Sequence, residues 1–302
     1  MRLPKELKHD LVFKLVRGLI SLINLLPQRV ALFCGSVLGM MAWSILTKER
    51  YRVSRHLTLV HGNSLTAAEK NNIGRSFFIN SGKNLIDVLR LRKHYDSEIK
   101  PRVTIEGLEH WDRAYKRGKG IIGITGHIGN FELLAVHLAS LGYRVAVIGR
   151  ELYDTRMDEM LVSNREALGL TNIATTDSPR KLLQWLKDGG AVGVLMDTDS
   201  SRVRGMFIPV FGRLAQTPVG QSMLALKTGA ALVPAVCLRN EDNTYRIVVK
   251  PEIEFDRTDD FDRDVYDLTL KCSRIIEEII NENKSQWIWI HNRWCARPPE
   301  TA

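Results

Sequence analysis

The 302-residue chain is 44% hydrophobic and 25% charged, with a formal net charge of +9. That composition excludes a disordered or low-complexity protein, and the length is enough to bury an ordinary core without covalent staples. The basic excess suits an anionic membrane surface or acidic substrates and carriers, whereas no single Lys/Arg tract marks a nucleic-acid arm. Cys34, Cys237, Cys272 and Cys295 stand far apart with no C-x-x-C pair, which argues against a zinc framework or a disulfide-dense secreted module and fits a reducing compartment.

Residues 1–95 read as helical. An uncharged run from Val30 to Thr47 lies between Arg29 and Lys48, at the short edge of what crosses a bilayer. The earlier apolar stretch, Gly18 to Gln28, is too short to span and ends at Leu26-Pro27; Arg17 interrupts it upstream, so a cleavable signal peptide is not expected. Residues 10–47 therefore predict a membrane-anchoring helical hairpin that dips into or lies on the bilayer, with a single crossing or a buried helix pair as alternatives. Lys48, Arg50, Arg52 and Arg55 follow directly, placed as a juxtamembrane anchor or as an ordinary solvated helix face. Glu49 to Leu59 and Ala67 to Leu91 continue the helices, the second with apolar residues at helical spacing (Ile73, Phe77, Leu85, Val88).

From Pro101 the texture changes to alternating strands and helices. Strands are predicted at Val103–Glu106, Gly120–Thr125, Arg144–Gly149, Ala191–Met196, Ala231–Leu238 and Thr244–Lys250. Helices are predicted at Leu108–Lys116, Asn130–Leu141, Asp154–Leu168, Pro179–Asp188, Pro218–Thr228 and Arg263–Glu282. Continuous apolar runs such as Ile121-Ile122-Gly123-Ile124 suit strands covered on both faces. The expected fold is α/β: a mixed, largely parallel sheet flanked by helices, over residues 96–302, behind an N-terminal helical region over 1–95. Thr244 to Lys250 alternates in polarity and is expected as an antiparallel edge. Ligands of such sheets lie beyond the carboxyl ends of the strands, so the residues just after each strand carry the most information.

Gly126-His127-Ile128-Gly129-Asn130-Phe131-Glu132 follows the strand ending at Thr125. His127 falls on the strand-to-helix loop, Asn130 suits an N-cap, and Glu132 falls in the first helical turn. An imidazole within reach of a hydroxyl can take its proton as it attacks, and a carboxylate on the other ring nitrogen fixes the tautomer. The helix N-terminus offers amide donors to a developing oxyanion, and the glycines admit close approach of a substrate. This chemistry requires no metal, no cofactor and no covalent enzyme intermediate. A His and a Glu at this spacing also occur in purely structural roles, with Glu132 serving the helix dipole.

Gly126 to Leu134 resembles the H-x4-D/E motif, in its G-H-x-G-N-W-E setting, of the late (lauroyl/myristoyl) acyltransferases of lipid A biosynthesis, within the lysophospholipid acyltransferase superfamily; Phe131 stands at the usual Trp. The resemblance continues in order through Arg150, Asp197, Gly205 to Gly212, Thr217 to Pro234 and Gln286 to Trp294, with Met196 and Thr198 departing from the family's P-D-Q segment. It implies His127 as general base with Glu132 as its partner, and Arg150 as the ligand of an anionic group such as phosphate. Asp197 would orient the acceptor or hold a loop, and Gly129, Asn130 and Arg293 would contribute to substrate binding. His291 and Arg293 would line the cleft or cap the last helix. Trp287, Trp289 and Trp294 would line an acyl pocket, sit at the membrane interface, or pack in the core.

The resemblance further implies acyl transfer from an acyl carrier protein or coenzyme A thioester, as co-substrate, to a hydroxyl of a lipid A precursor or related glycolipid. The setting would be the cytoplasmic face of an inner membrane. A lysophospholipid or phosphatidylinositol mannoside acceptor fits the same chemistry. Hydrolysis through a serine elbow is disfavoured, since no G-x-S-x-G occurs. A non-catalytic membrane lipid-binding protein is the alternative from another class, opposed by the intact His127 and Glu132.

Overall fold

The computed structural model describes residues 5–199 and 203–296. Four helices lead the chain: α1 (Lys5–Ile23), α2 (Gln28–Ile45), α3 (Thr47–His61) and α4 (Ala67–His94). Pro27, which lacks an amide donor, stands at the start of α2, and a Thr66/Glu69 capping box starts α4. Glycines bring α2 onto α4 almost backbone to backbone. A Cβ on Gly39 would sit 2.3 Å from the Phe78 carbonyl oxygen, and one on Gly82 would sit 2.2 Å from that of Gly35. The buried Arg90 of α4 donates to the carbonyls of Ile23 (2.6 Å) and Leu26 (2.8 Å), tying the α1–α2 turn down. Outward, α1 exposes Leu11, Leu15, Leu19 and Leu22, while α2 exposes Phe33, Val37 and Met41. Among the described residues, α2 alone is long and apolar enough to cross a membrane.

The alternating region forms β1 (Val103–Glu106), α5 (Leu108–Lys116), β2 (Ile121–Thr125), α6 (Phe131–Ser140), β3 (Val145–Gly149), α7 (Thr155–Ala167), β4 (Thr171–Ala174), α8 (Pro179–Lys187) and β5 (Ala191–Leu195). It continues through β6 (Gly205–Val210), β7 (Arg213–Pro218), α9 (Gly220–Thr228), β8 (Ala231–Arg239), β9 (Tyr245–Val249) and α10 (Phe261–Glu282). Seven strands make one sheet in the order β1-β9-β8-β2-β5-β3-β4, parallel throughout except between β8 and β9. The α/β expectation therefore holds.

Three details differ from the sequence reading. β9 is antiparallel to β8 as anticipated, but it is interior, because β1 pairs along its other side. Its alternation reflects unequal cover on its two faces, not an open edge. The outermost β4 is only four residues long and half-buried, too short and polar to stand out. The β6–β7 hairpin lies outside the main sheet and turns through Phe211 and Gly212, both at positive φ.

Parallel strands need cover on both faces. In β2 and β5 the even-numbered Ile122, Ile124 and Val192 join a core with α9 and α10, which also takes in Phe77 and Phe78 of α4. The odd-numbered Ile121 and Ala191 face α5 and α6, through Trp111, Leu134 and Leu138. In register, Thr125 of β2 lies opposite Leu195 of β5. The residues two places beyond each strand end, His127 and Asp197, thus emerge side by side.

Candidate active site

His127 sits in a loop held by three backbone bonds from two directions. Its carbonyl accepts from Ile288 N at 3.1 Å, Gly129 N donates to the Gln286 carbonyl at 2.9 Å, and Asn130 N donates to the Cys237 carbonyl at 2.8 Å. The 286–288 segment and β8 therefore clamp the loop. Gly129 has φ +59, and a Cβ there would lie 2.0 Å from the Cys237 oxygen. Its glycine serves this approach to β8, not the approach of a substrate. Asn130 is buried and caps α6, accepting from Leu133 N at 3.0 Å, so its oxygen is committed to the fold.

The carboxylate on the imidazole is Asp197, where the sequence reading placed Glu132. His127 Nδ1 and Asp197 Oδ1 are 2.9 Å apart. Oδ2 of the same carboxylate accepts two further bonds, from His127 N (2.8 Å) and from the Trp287 indole (2.7 Å). Gly126 leaves room for this contact, since a Cβ there would lie 2.9 Å from the carboxylate carbon. Burial pulls the imidazole pKa down, but the bond to Asp197 and its charge outweigh that and hold it above the ordinary value. Burial pushes the Asp197 carboxyl up, yet its bonds to His127 and Trp287 leave it below the usual carboxylate range. Both directions describe a pair in which each partner favours the other's charged form.

Glu132 instead pairs in two-point fashion with Arg165 of α7, whose Nε is 3.2 Å from Oε2 and whose Nη2 contacts Oε1. Arg165 Nη1 donates to Asn172 Oδ1 at 2.9 Å, fixing the fork, and Gly149 leaves the space it occupies. Arg165 escaped the sequence reading, because a helical Arg remote in sequence carries no local signal. Arg150 lies exposed at the rim and has no hydrogen bond or ion pair among the described residues. Its nearby carboxylates are engaged elsewhere, Glu151 with Thr176 and Asp154 with Arg156.

His127, Glu132, Arg165 and Arg150 surround the polar end of a cavity of about 230 Å³. It runs between α6 and the odd-numbered face of the sheet to an apolar inner end at Trp111, Leu138 and Val145. Arg293 does not reach it. That side chain is buried and donates to the Gln216 carbonyl (2.6 Å), with a second contact to Thr217 Oγ1, so it supports β7. His291 stacks near His127, with centroids 6.5 Å apart and planes inclined by 15°. Its pKa is lowered by burial and then by the charge of His127. Trp287 and Trp289 are buried core rings and Trp294 packs against the same core, so none of the three lines the cavity.

The mainly parallel α/β sheet thus holds a carboxylate-bound imidazole beyond its strand ends, at the mouth of an apolar cavity, where ligands of such sheets bind. Comparison with known proteins specifies the class. The family model for the bacterial lipid A biosynthesis acyltransferases matches residues 5–296. The chain is 26% identical over 280 residues to the lipid A biosynthesis palmitoleoyltransferase of Escherichia coli (strain K12), covering 90% of this chain and 87% of that protein. It is 25% identical over 289 residues to the lipid A biosynthesis lauroyltransferase of the same organism, covering 93% and 90%. A phosphatidylinositol mannoside acyltransferase of Mycobacterium tuberculosis (strain CDC 1551 / Oshkosh) is 25% identical over 196 residues, covering 64% and 60%.

The chain belongs to the bacterial lipid A biosynthesis acyltransferase family. It is an O-acyltransferase of the lipid A and glycolipid type.

Proposed function

We propose that this enzyme transfers a fatty acyl group from an acyl carrier protein or coenzyme A thioester to a hydroxyl of a lipid A precursor, with His127 as general base. One observation carries the reading. The imidazole has Nδ1 committed to a buried carboxylate and stands at the polar mouth of an apolar cavity.

With the Nδ1 proton donated to Asp197, Nε2 is the basic nitrogen. It takes the proton of the acceptor hydroxyl as that oxygen attacks the thioester carbonyl. The C–S bond then breaks, and the imidazolium returns the proton to the departing thiolate. Phe131 N and Glu132 N, the first amides of α6, lie at the positive end of the helix dipole and suit the developing oxyanion. Arg150, exposed and unpaired among the described residues, suits a phosphate of donor or acceptor. The Glu132–Arg165 pair orders the rim between them.

A lipid A precursor is favoured over a phosphatidylinositol mannoside because the lipid A relatives match along nearly the whole chain. The setting we propose is the cytoplasmic side of the inner membrane, with α1 and α2 lying in its surface. α2 is 18 residues long, about 27 Å at the helical rise, and one of its faces is fixed on α4. Lys48, Arg50 and Arg55 are exposed beside it, whereas Arg52 donates to the Ile290 carbonyl at 3.0 Å. The test is His127→Ala in the full-length protein, assayed for acyl transfer and by lipid mass spectrometry of a strain lacking the gene. The expected result is a folded protein with turnover down by ~100-fold or more and no acylated product in cells. Wild-type transfer by the folded variant would overturn the assignment.

A further inference from the structure

We infer that Gly193, with Trp111 closing the inner end of the cavity, sets the length of the acyl chain this enzyme accepts; the inference rests on the acyl-transfer reading above. Along β5 the side of Leu195, Gly193 and Ala191 faces the cavity and its surrounding core. Leu195 lies level with Thr125 at the end beside His127. Gly193 lies two residues deeper, roughly 6–7 Å along the strand.

At that depth the two central strands are bare, between Val147 of β3 and Val233 of β8. A Cβ on Gly193 would meet nothing closer than the Ala146 carbonyl oxygen at 4.0 Å. Opposite it in register stands Gly123, where a Cβ would lie 3.1 Å from the Trp111 ring. Two facing glycines in central strands of a parallel sheet weaken both strands, and such glycines mark sites where a ligand or ring comes close. At Gly123 the approaching group is visible: the indole of Trp111. At Gly193 the space is part of the cavity, which continues from the mouth to Leu138 and Val145. The polar groups of the cavity gather at the mouth and the inner end is apolar, so an unbranched hydrocarbon chain is the ligand class that fits.

Chain length would then be read as methylenes buried beyond Gly193. Filling that position cuts off the inner end, and trimming Trp111 extends it. Gly193 does not have a positive φ, so side chains are accommodated there without backbone strain.

The experiment presents the full-length protein, in detergent with a lipid A precursor as acceptor, with an equimolar mixture of saturated acyl-carrier-protein thioesters from octanoyl to stearoyl. Transferred chains are read by mass spectrometry. Gly193→Leu is expected to lower the ratio of the longest to the shortest transferred chain by roughly tenfold or more, as two methylenes lose their burial. Gly193→Ala is expected to shift the ratio the same way by less, and Trp111→Phe to shift it towards longer chains. If Gly193→Leu does not fold, the alanine and Trp111→Phe variants carry the test in opposite directions. Folded variants with the wild-type profile would overturn the inference. A wild-type protein that transfers no chain to this acceptor or to a phosphatidylinositol mannoside would instead overturn the acyl-transfer reading, which separates the two failures.

Discussion

Replacing Asp197 by Asn tests the site most sharply, because the geometry dictates how the amide must sit. Oδ2 of Asp197 accepts two N–H groups, from the His127 backbone and the Trp287 indole, whereas Oδ1 faces a single ring nitrogen. An asparagine satisfies more donors by turning its oxygen to the Oδ2 position, and its NH2 then faces His127 Nδ1. Turning the other way sets its NH2 against two N–H donors in a buried site, at a cost of about 1–3 kcal/mol for each unsatisfied group. In the favoured orientation Nδ1 becomes an acceptor and the ring proton moves to Nε2, the tautomer that cannot take a proton from the acceptor. The expected loss in kcat is ~10²- to 10⁴-fold, the upper end being the effect of the equivalent change in a serine protease triad.

The assay is initial-rate thioester consumption against pH, alongside a thermal melt to show that the variant is folded. Loss of the carboxylate also removes what holds the imidazole pKa up, so the acidic limb of kcat/KM should move to lower pH in the residual activity. In the wild type, stability and activity respond to the same group in opposite senses. His127 has a folded pKa above its ordinary 6.5, so its contribution to stability is full below that value and is lost as pH rises through the folded pKa. Catalysis, which on the proposed mechanism needs the neutral ring, should rise over that same interval. Asp197, depressed below 3.8, contributes stability above that value and loses it as pH falls through its folded pKa. A folded Asp197→Asn protein with wild-type rates and an unmoved acidic limb would refute the relay.

Glu132→Gln should lower turnover by roughly 10- to 100-fold while leaving the acidic limb in place, since Glu132 contacts Arg165 and not the imidazole; a limb displaced as far as in Asp197→Asn would show that Glu132 holds His127 in solution. Asp87→Ala strands Arg239, which is buried and bonded to Asp87, Asn84 and Tyr245, and should cost about 3–5 kcal/mol in denaturant unfolding; an unchanged midpoint would mean that this cluster is solvated. Changing Lys48, Arg50 and Arg55 together to Gln should weaken binding to anionic vesicles by roughly 100-fold, at about 1 kcal/mol per basic residue near the surface, with loss of salt sensitivity. Unaltered, salt-independent binding would leave attachment to the apolar faces of α1 and α2 alone.

The relation between sequence and structure is clearest at the carboxylate. The loop after β2, the Asn130 cap and the placing of Glu132 in the first turn of α6 follow from local rules: an apolar run, then glycines, then a side chain able to bind the first amides. The alternation of strands and helices likewise dictates a parallel sheet, because each strand must be covered on both faces and each crossover requires a helix. Other strands were hidden by their composition. β4 reads Thr-Asn-Ile-Ala, and β6 and β7 carry Gly205, Pro209 and Pro218, residues that argue against a strand.

Both acidic residues beside His127 were visible in the sequence, and local spacing favoured Glu132, five residues away. Only the pairing of β2 with β5, which brings residues 125 and 195 level, decides that Asp197 meets the imidazole from seventy positions along the chain. The return of the C-terminal segment to clamp the loop decides that Trp287 serves this carboxylate and not an acyl chain. The cavity, too, exists only once α6 lies over glycines contributed by separate strands. Local propensities act over a turn or a strand; strand order and register bring distant residues into contact, and they belong to the packed sheet as a whole.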